Sequence, residues 1–92
     1  MRTKLVGLQK NACVALGNGR DKTAVPALIS ALSNQAPLVR GHAAWALGEI
    51  STLKALSALE TASESEIDPY VIEEIQEALK PTVDSKRTSQ TR

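Results

Sequence analysis

Ala15-Leu16-Gly17-Asn18 recurs as Ala46-Leu47-Gly48-Glu49, 31 positions further on. Ala24-Val25-Pro26-Ala27-Leu28 answers to Ala55-Leu56-Ser57-Ala58-Leu59 at the same offset of 31, and Val39 and Leu47 match Val71 and Leu79 after one inserted residue. Two helical segments per period of this length specify an α-solenoid, because one helix pair cannot bury its apolar face alone and must stack on the next. The expected fold is all-α: five helices in about two and a half helix-pair repeats over residues 1–80, followed by a polar, disordered tail over 81–92. The leading helix of the first pair is missing. The first helix should therefore expose an apolar edge unless a preceding domain or a partner covers it.

The helices are legible from their spacing. The first runs from about Thr3 to Gly17, with Leu5, Leu8, Ala12, Ala15 and Leu16 on one face, and Gly17-Asn18-Gly19 is expected to end it. The second, about Thr23 to Ser33, places Val25, Leu28, Ile29 and Leu32 inward, with Asp21 or Thr23 as cap and Pro26 in its first turn. The third, about Pro37 to Glu49, has a main stripe of Val39, Ala43, Ala46, Leu47 and Ile50, and a second of Leu38 and Trp45. Two stripes predict packing on two sides. The fourth, about Thr52 to Ala62, is expected to be capped by Ser51, with Leu53, Leu56 and Leu59 in the core. Asp68-Pro69 opens the fifth, whose core is Val71, Ile72, Ile75, Ala78 and Leu79, and Pro81 stops it.

Composition agrees. The chain has no Phe, one Trp (Trp45) and one Tyr (Tyr70) against many Ala and Leu, a balance that suits closely approaching helices better than a sheet. Its one cysteine, Cys13, lies among Ala and Val, so it reads as a small buried apolar residue. With no disulfide available, a cytoplasmic location is expected. No apolar run reaches the length of a membrane span. The net charge of +1 conceals an asymmetry: residues 1–48 carry +5, residues 49–80 carry −6 and residues 81–92 carry +2. The amino-terminal half therefore favours polyanions and the middle repels them.

No catalytic constellation stands out. There is one histidine, His42, no metal-ligand spacing and no phosphate-binding glycine loop, so the chain is read as non-catalytic. Glu73, Glu74 and Glu77 read as a solvated helix face. On a helical wheel Arg40 lies about 200° from His42, so the two cannot share one compact site. His42 and Trp45 read first as packing against the next repeat, the imidazole finding one hydrogen bond, and otherwise as ligand contacts. Gln9 holds the place of Arg40 one repeat earlier.

The string Leu8-Gln9-Lys10-Asn11-Ala12-Cys13-Val14-Ala15-Leu16-Gly17-Asn18, followed by Pro37-Leu38-Val39-Arg40-Gly41-His42-Ala43-Ala44-Trp45-Ala46-Leu47-Gly48, resembles the carboxy-terminal HEAT-like repeats of bacterial epoxyqueuosine reductases. The Val-Pro-Ala-Leu and Ala-Leu-Gly pieces are shared more widely, including with phycobilisome lyases. The resemblance implies a parent enzyme that completes queuosine synthesis in tRNA, using cobalamin and iron–sulfur clusters. It implies that the repeats help hold the tRNA anticodon stem-loop. The Cys-rich part is not in this chain, so no cofactor is expected here. By position in the motif, Lys10, Asn11, Arg40 and His42 are the implied RNA contacts. A protein–protein adaptor of the same repeat type is the alternative.

Overall fold

The computed structural model describes residues 2–80. They form α1 (Arg2–Gly19), α2 (Val25–Ala31) entered through a 3-10 turn at Lys22–Ala24, α3 (Pro37–Ile50), α4 (Leu53–Ser65) and α5 (Pro69–Leu79). No strand occurs among the described residues. The segment 81–92, read from sequence as a polar tail, lies outside them. Helices α1, α3 and α5 lie side by side with α3 in the middle, and α2 and α4 form a second layer behind them, α2 packing on α3 and α4 on α5 and α3. This is the α-solenoid that the 31-residue period demands.

The core is aliphatic throughout. Val39, Ala43, Leu47 and Ile50 of α3 join Val25 and Leu28 of α2, Ala55 and Leu59 of α4, and Val71 and Ile75 of α5. Leu53, expected in this core, is 86% exposed, because it stands at the first position of α4 with no helix beyond it. Ala55 takes the inward place, fully buried.

Between adjacent helices of the front layer the contact is made by glycine against alanine. A methyl group built on Gly17 of α1 falls 3.0 Å from Ala46 Cβ and 2.5 Å from the Trp45 ring on α3. One repeat on, a methyl on Gly48 of α3 falls 2.6 Å from Ala78 Cβ and 2.9 Å from its Cα on α5. Gly41 lies directly under the Tyr70 ring. The second packed side of α3 is therefore the small-residue strip Gly41, Ala44 and Gly48. Of the Leu38 and Trp45 stripe expected from sequence, Leu38 is exposed, while Trp45 is half-buried and packs over Gly17 of α1.

Two boundary expectations fail for related reasons. Helix α1 runs through Gly17 and Asn18 to Gly19, and the left-handed closing residue is Arg20 (φ 51°). Gly17 is present for close helix approach, not for termination. Ser51 does not cap α4; it closes α3 in the left-handed conformation (φ 58°), its N–H donating to the Leu47 carbonyl at 2.8 Å. Thr52 caps α4, its hydroxyl accepting from the Ala55 N–H at 3.1 Å. Asp68 caps α5 as expected, accepting from the N–H of Tyr70 at 2.9 Å.

The two ends of the stack differ. On α1, Leu5 is 54% and Leu8 68% exposed, and Ala12 and Ala15 are also exposed. Their equivalents on α3, Val39 for Leu8, Ala43 for Ala12 and Ala46 for Ala15, are wholly buried by α1 and α2. The apolar edge foreseen from sequence is thus present. On α5, the places of Gly41, Ala44 and Gly48 are taken by exposed Glu73, Gln76 and Lys80.

Substitution by alanine should separate packing from propensity. Gly48→Ala is expected to lose about 1–3 kcal/mol in urea unfolding, because the methyl overfills the seam. Gly7→Ala, where nothing lies within 4 Å of the added methyl, should gain about 0.5–1 kcal/mol.

Candidate nucleic-acid interface

Helix α3 is buried around most of its circumference and is partly open to solvent along Leu38, His42, Trp45 and Glu49. This ridge lies between Val14 and Asn18 on α1 and Tyr70, Glu74 and Glu77 on α5. Val14, Asn18, His42, Trp45, Tyr70 and Glu74 line one shallow groove of about 320 Å³.

His42 is held at one nitrogen. Its Nδ1 lies 2.8 Å from the Leu38 carbonyl oxygen and 3.1 Å from the Tyr70 hydroxyl. A carbonyl can only accept, so Nδ1 carries the proton and donates, and the Tyr70 oxygen is a second acceptor. The two rings stand 6.3 Å apart at a 49° tilt. Burial, with the nearby charges of Glu74 and Asp68, raises the Tyr70 phenol above its ordinary value, so it stays a hydroxyl. The imidazole thus finds its hydrogen bond inside the fold and still borders the groove.

Arg40 lies elsewhere. Its Nε donates to Glu66 Oε1 at 2.9 Å and its Nη2 to Glu66 Oε2 at 3.0 Å, while Nη1 donates to the carbonyls of Asn34 and Gln35. The side chains of the pair are 17% and 8% exposed. Four of the five guanidinium N–H groups are thus engaged within the chain, which gives Arg40 a structural role in the turn into α5. Glu66 also accepts from the N–H of Asp68 and of Ile67, at 3.0 and 3.2 Å, shaping the turn into α5. The same device stands one repeat earlier in neutral form. There Asn34 donates to Gln9 at 3.3 Å and accepts from the Ala36 N–H at 2.8 Å, shaping the turn into α3. Sequence reasoning paired Gln9 with Arg40 but missed their partners; Asn34 and Glu66, each three residues before a proline, were the available signal.

Of the other expected contacts, Lys10 is half-buried and Asn11 exposed on α1. His42 lines the groove on the open face, whereas Arg40 stands beside the hollow between α2 and α4 lined by Ile29, Ala58 and Glu66. The open face is electrically polar. From Arg2 to Gly19 there is no carboxylate, whereas α5 carries Glu73, Glu74 and Glu77. Cys13 is buried as expected, and burial pushes its thiol up, away from nucleophilic use. No helix among the described residues is long and apolar enough to cross a membrane.

Residues 6–80 match the family described as HEAT repeats. The epoxyqueuosine reductase of Listeria monocytogenes is 44% identical over 69 residues, 74% of this chain and 18% of that protein. The epoxyqueuosine reductase of Bacillus subtilis is 34% identical over 84 residues, 90% of this chain and 22% of that protein. An uncharacterized protein of Geobacillus stearothermophilus is 44% identical over 69 residues and is covered to 32% of its length. A crystal structure of selenomethionine-labeled epoxyqueuosine reductase superposes with a TM-score of 0.71 at 37% identity, covering 77% of this chain and 20% of that one. This chain spans about a fifth of the reductases it matches.

The Arg40–Glu66 pair should be felt in stability. Arg40→Ala leaves a largely buried carboxylate unpaired and is expected to cost about 2–3 kcal/mol in urea. The Arg40 hydrogen bond holds the Glu66 carboxyl below its ordinary value. Its contribution is therefore complete above the unfolded-state pKa of about 4.3 and fades as pH falls through the lowered folded value. In Glu66→Gln this part of the acid limb should disappear from unfolding curves measured across that range.

Proposed function

The chain belongs to the HEAT-repeat family, and from that premise we propose that it docks folded RNA, the anticodon stem-loop of a tRNA, as a non-catalytic part of a protein related to epoxyqueuosine reductases. The observation that carries this reading is the open face beside α1. Lys4 and Lys10 stand there on a helix without a single carboxylate, next to exposed Asn11. Such a surface neutralises phosphates and follows the shape of a duplex without reading its sequence. Kinship supports the choice of RNA through the resemblance drawn from the sequence: relatives named epoxyqueuosine reductase align over 74–90% of this chain. The cobalamin and iron–sulfur chemistry of that class does not fit here. A cluster needs several thiolates, and the one cysteine is buried. Reduction would belong to other parts of such a protein.

The uncovered edge of α1 supports a second reading, a protein-binding adaptor. Leu5, Leu8, Ala12 and Ala15 form the surface that α1 and α2 cover on α3. The occupant of best fit is an amphipathic helix of a second copy of this chain, lying on α1 as α2 lies on α3.

Binding of an anticodon stem-loop should weaken steeply with salt, measured by fluorescence anisotropy at two ionic strengths. Lys10→Glu should weaken it and lower the salt slope by about one ion or more, while Glu60→Lys on α4 leaves the slope nearly unchanged. Salt-insensitive binding, or none at low salt, would remove the RNA reading. For the edge, sedimentation should show concentration-dependent association that Leu8→Glu abolishes at a stability cost within about 0.5 kcal/mol. A monomer at every concentration would count against the adaptor.

A further inference from the structure

The chain has one tryptophan, one tyrosine and one histidine, and no phenylalanine. All three rings line the same groove on the open face, although they come from two helices and from positions 42, 45 and 70. The core contains none of them among its fully buried residues. Aromatic rings are the largest apolar groups a chain has, and in a core of Ala, Val, Leu and Ile they would contribute most to stability inside. Here each ring is only half-buried.

The rings are also fixed in place. Trp45 lies across Gly17, so closely that a methyl there would meet the indole at 2.5 Å. Tyr70 lies across Gly41, and its hydroxyl is within 3.1 Å of His42 Nδ1. Each of the two larger rings is thus seated on a glycine of the neighbouring front helix. At its margins are groups with hydrogen-bonding capacity: Asn18, which can donate and accept, and Glu74, which when ionised only accepts. An aromatic-lined groove edged by an acceptor carboxylate matches a planar ring carrying N–H donors. It does not match a phosphate, which Glu74 and Glu77 would repel.

The polarity of the face then fixes an orientation. Cations lie on α1 and carboxylates on α5, with α3 between them. Neighbouring helix axes stand roughly 8–10 Å apart, so a nucleotide can keep its phosphate over α1 while its base reaches across α3. Resting on the RNA-docking reading above, we propose that the groove takes one unpaired nucleobase of the bound RNA, stacked against Trp45 and Tyr70, with the base amino group donating to Glu74 and the phosphates lying over α1. Guanine, cytosine and adenine carry the exocyclic amino group; uracil does not. The site therefore prefers the first three.

Trp45, being the sole tryptophan, reports on its own occupancy. The experiment titrates end-labelled RNA hairpins that share one stem but differ in the loop, which is cytidine, uridine or abasic. Anisotropy of the label reads RNA binding, and Trp45 emission reads stacking. The cytidine loop should quench Trp45 strongly, with the same midpoint as the anisotropy. The abasic loop should bind about tenfold more weakly without quenching, and the uridine loop should fall between them. Glu74→Gln should erase the difference between cytidine and uridine while circular dichroism stays unchanged. Anisotropy that rises without quenching, or equal quenching by the abasic loop, would overturn the base site and leave RNA docking standing. Neither signal moving would overturn both.

Discussion

The stack depends on how closely the three front helices can approach one another. Gly17 against Ala46 and Gly48 against Ala78 are the same contact, displaced by one repeat. A larger side chain at any of these places would push the helices apart and open the aliphatic core that α2 and α4 close from behind. Because the seam is made of glycine and alanine, it contributes little apolar area by itself. Its effect is geometric: it lets Val39, Leu47, Val71 and Ile75 meet at native packing density.

A second, polar device sets the angle at which each front helix is entered. Asn34 and Glu66 both reach forward two residues to a backbone N–H and sideways to a side chain of the preceding front helix. In one repeat the partners are neutral, Gln9 and Asn34; in the next they are charged, Arg40 and Glu66. The charged version is mostly withdrawn from water and is correspondingly intolerant of losing one member.

Most of the architecture was legible from the repeat spacing, since period and helix count alone require stacked pairs. What escaped was which small residue serves the backbone and which serves a neighbour. Gly17 next to Gly19 has the look of a helix stop, yet its missing side chain is used by Trp45. Leu38 and Trp45 have the look of core, yet a strip of Gly41, Ala44 and Gly48 takes the buried side, because small residues carry weak signals on a hydrophobicity pattern. For the interface, Lys10, Asn11, Arg40 and His42 were drawn from their places in the motif. Arg40 was not distinguishable, because its partner Glu66 lies 26 residues away and only folding brings the two together.

Where α3 offers Gly41, Ala44 and Gly48 to its neighbour, α5 offers Glu73, Gln76 and Lys80. A helix laid on α5 as α5 is laid on α3 would have to strip water from two charges and an amide, with no cavity for their side chains. The array therefore has a direction of growth. Extra units inserted between α3 and α4 would inherit a compatible surface on both sides, whereas units joined behind α5 would not. Lengthening this scaffold by design is a matter of duplicating its middle.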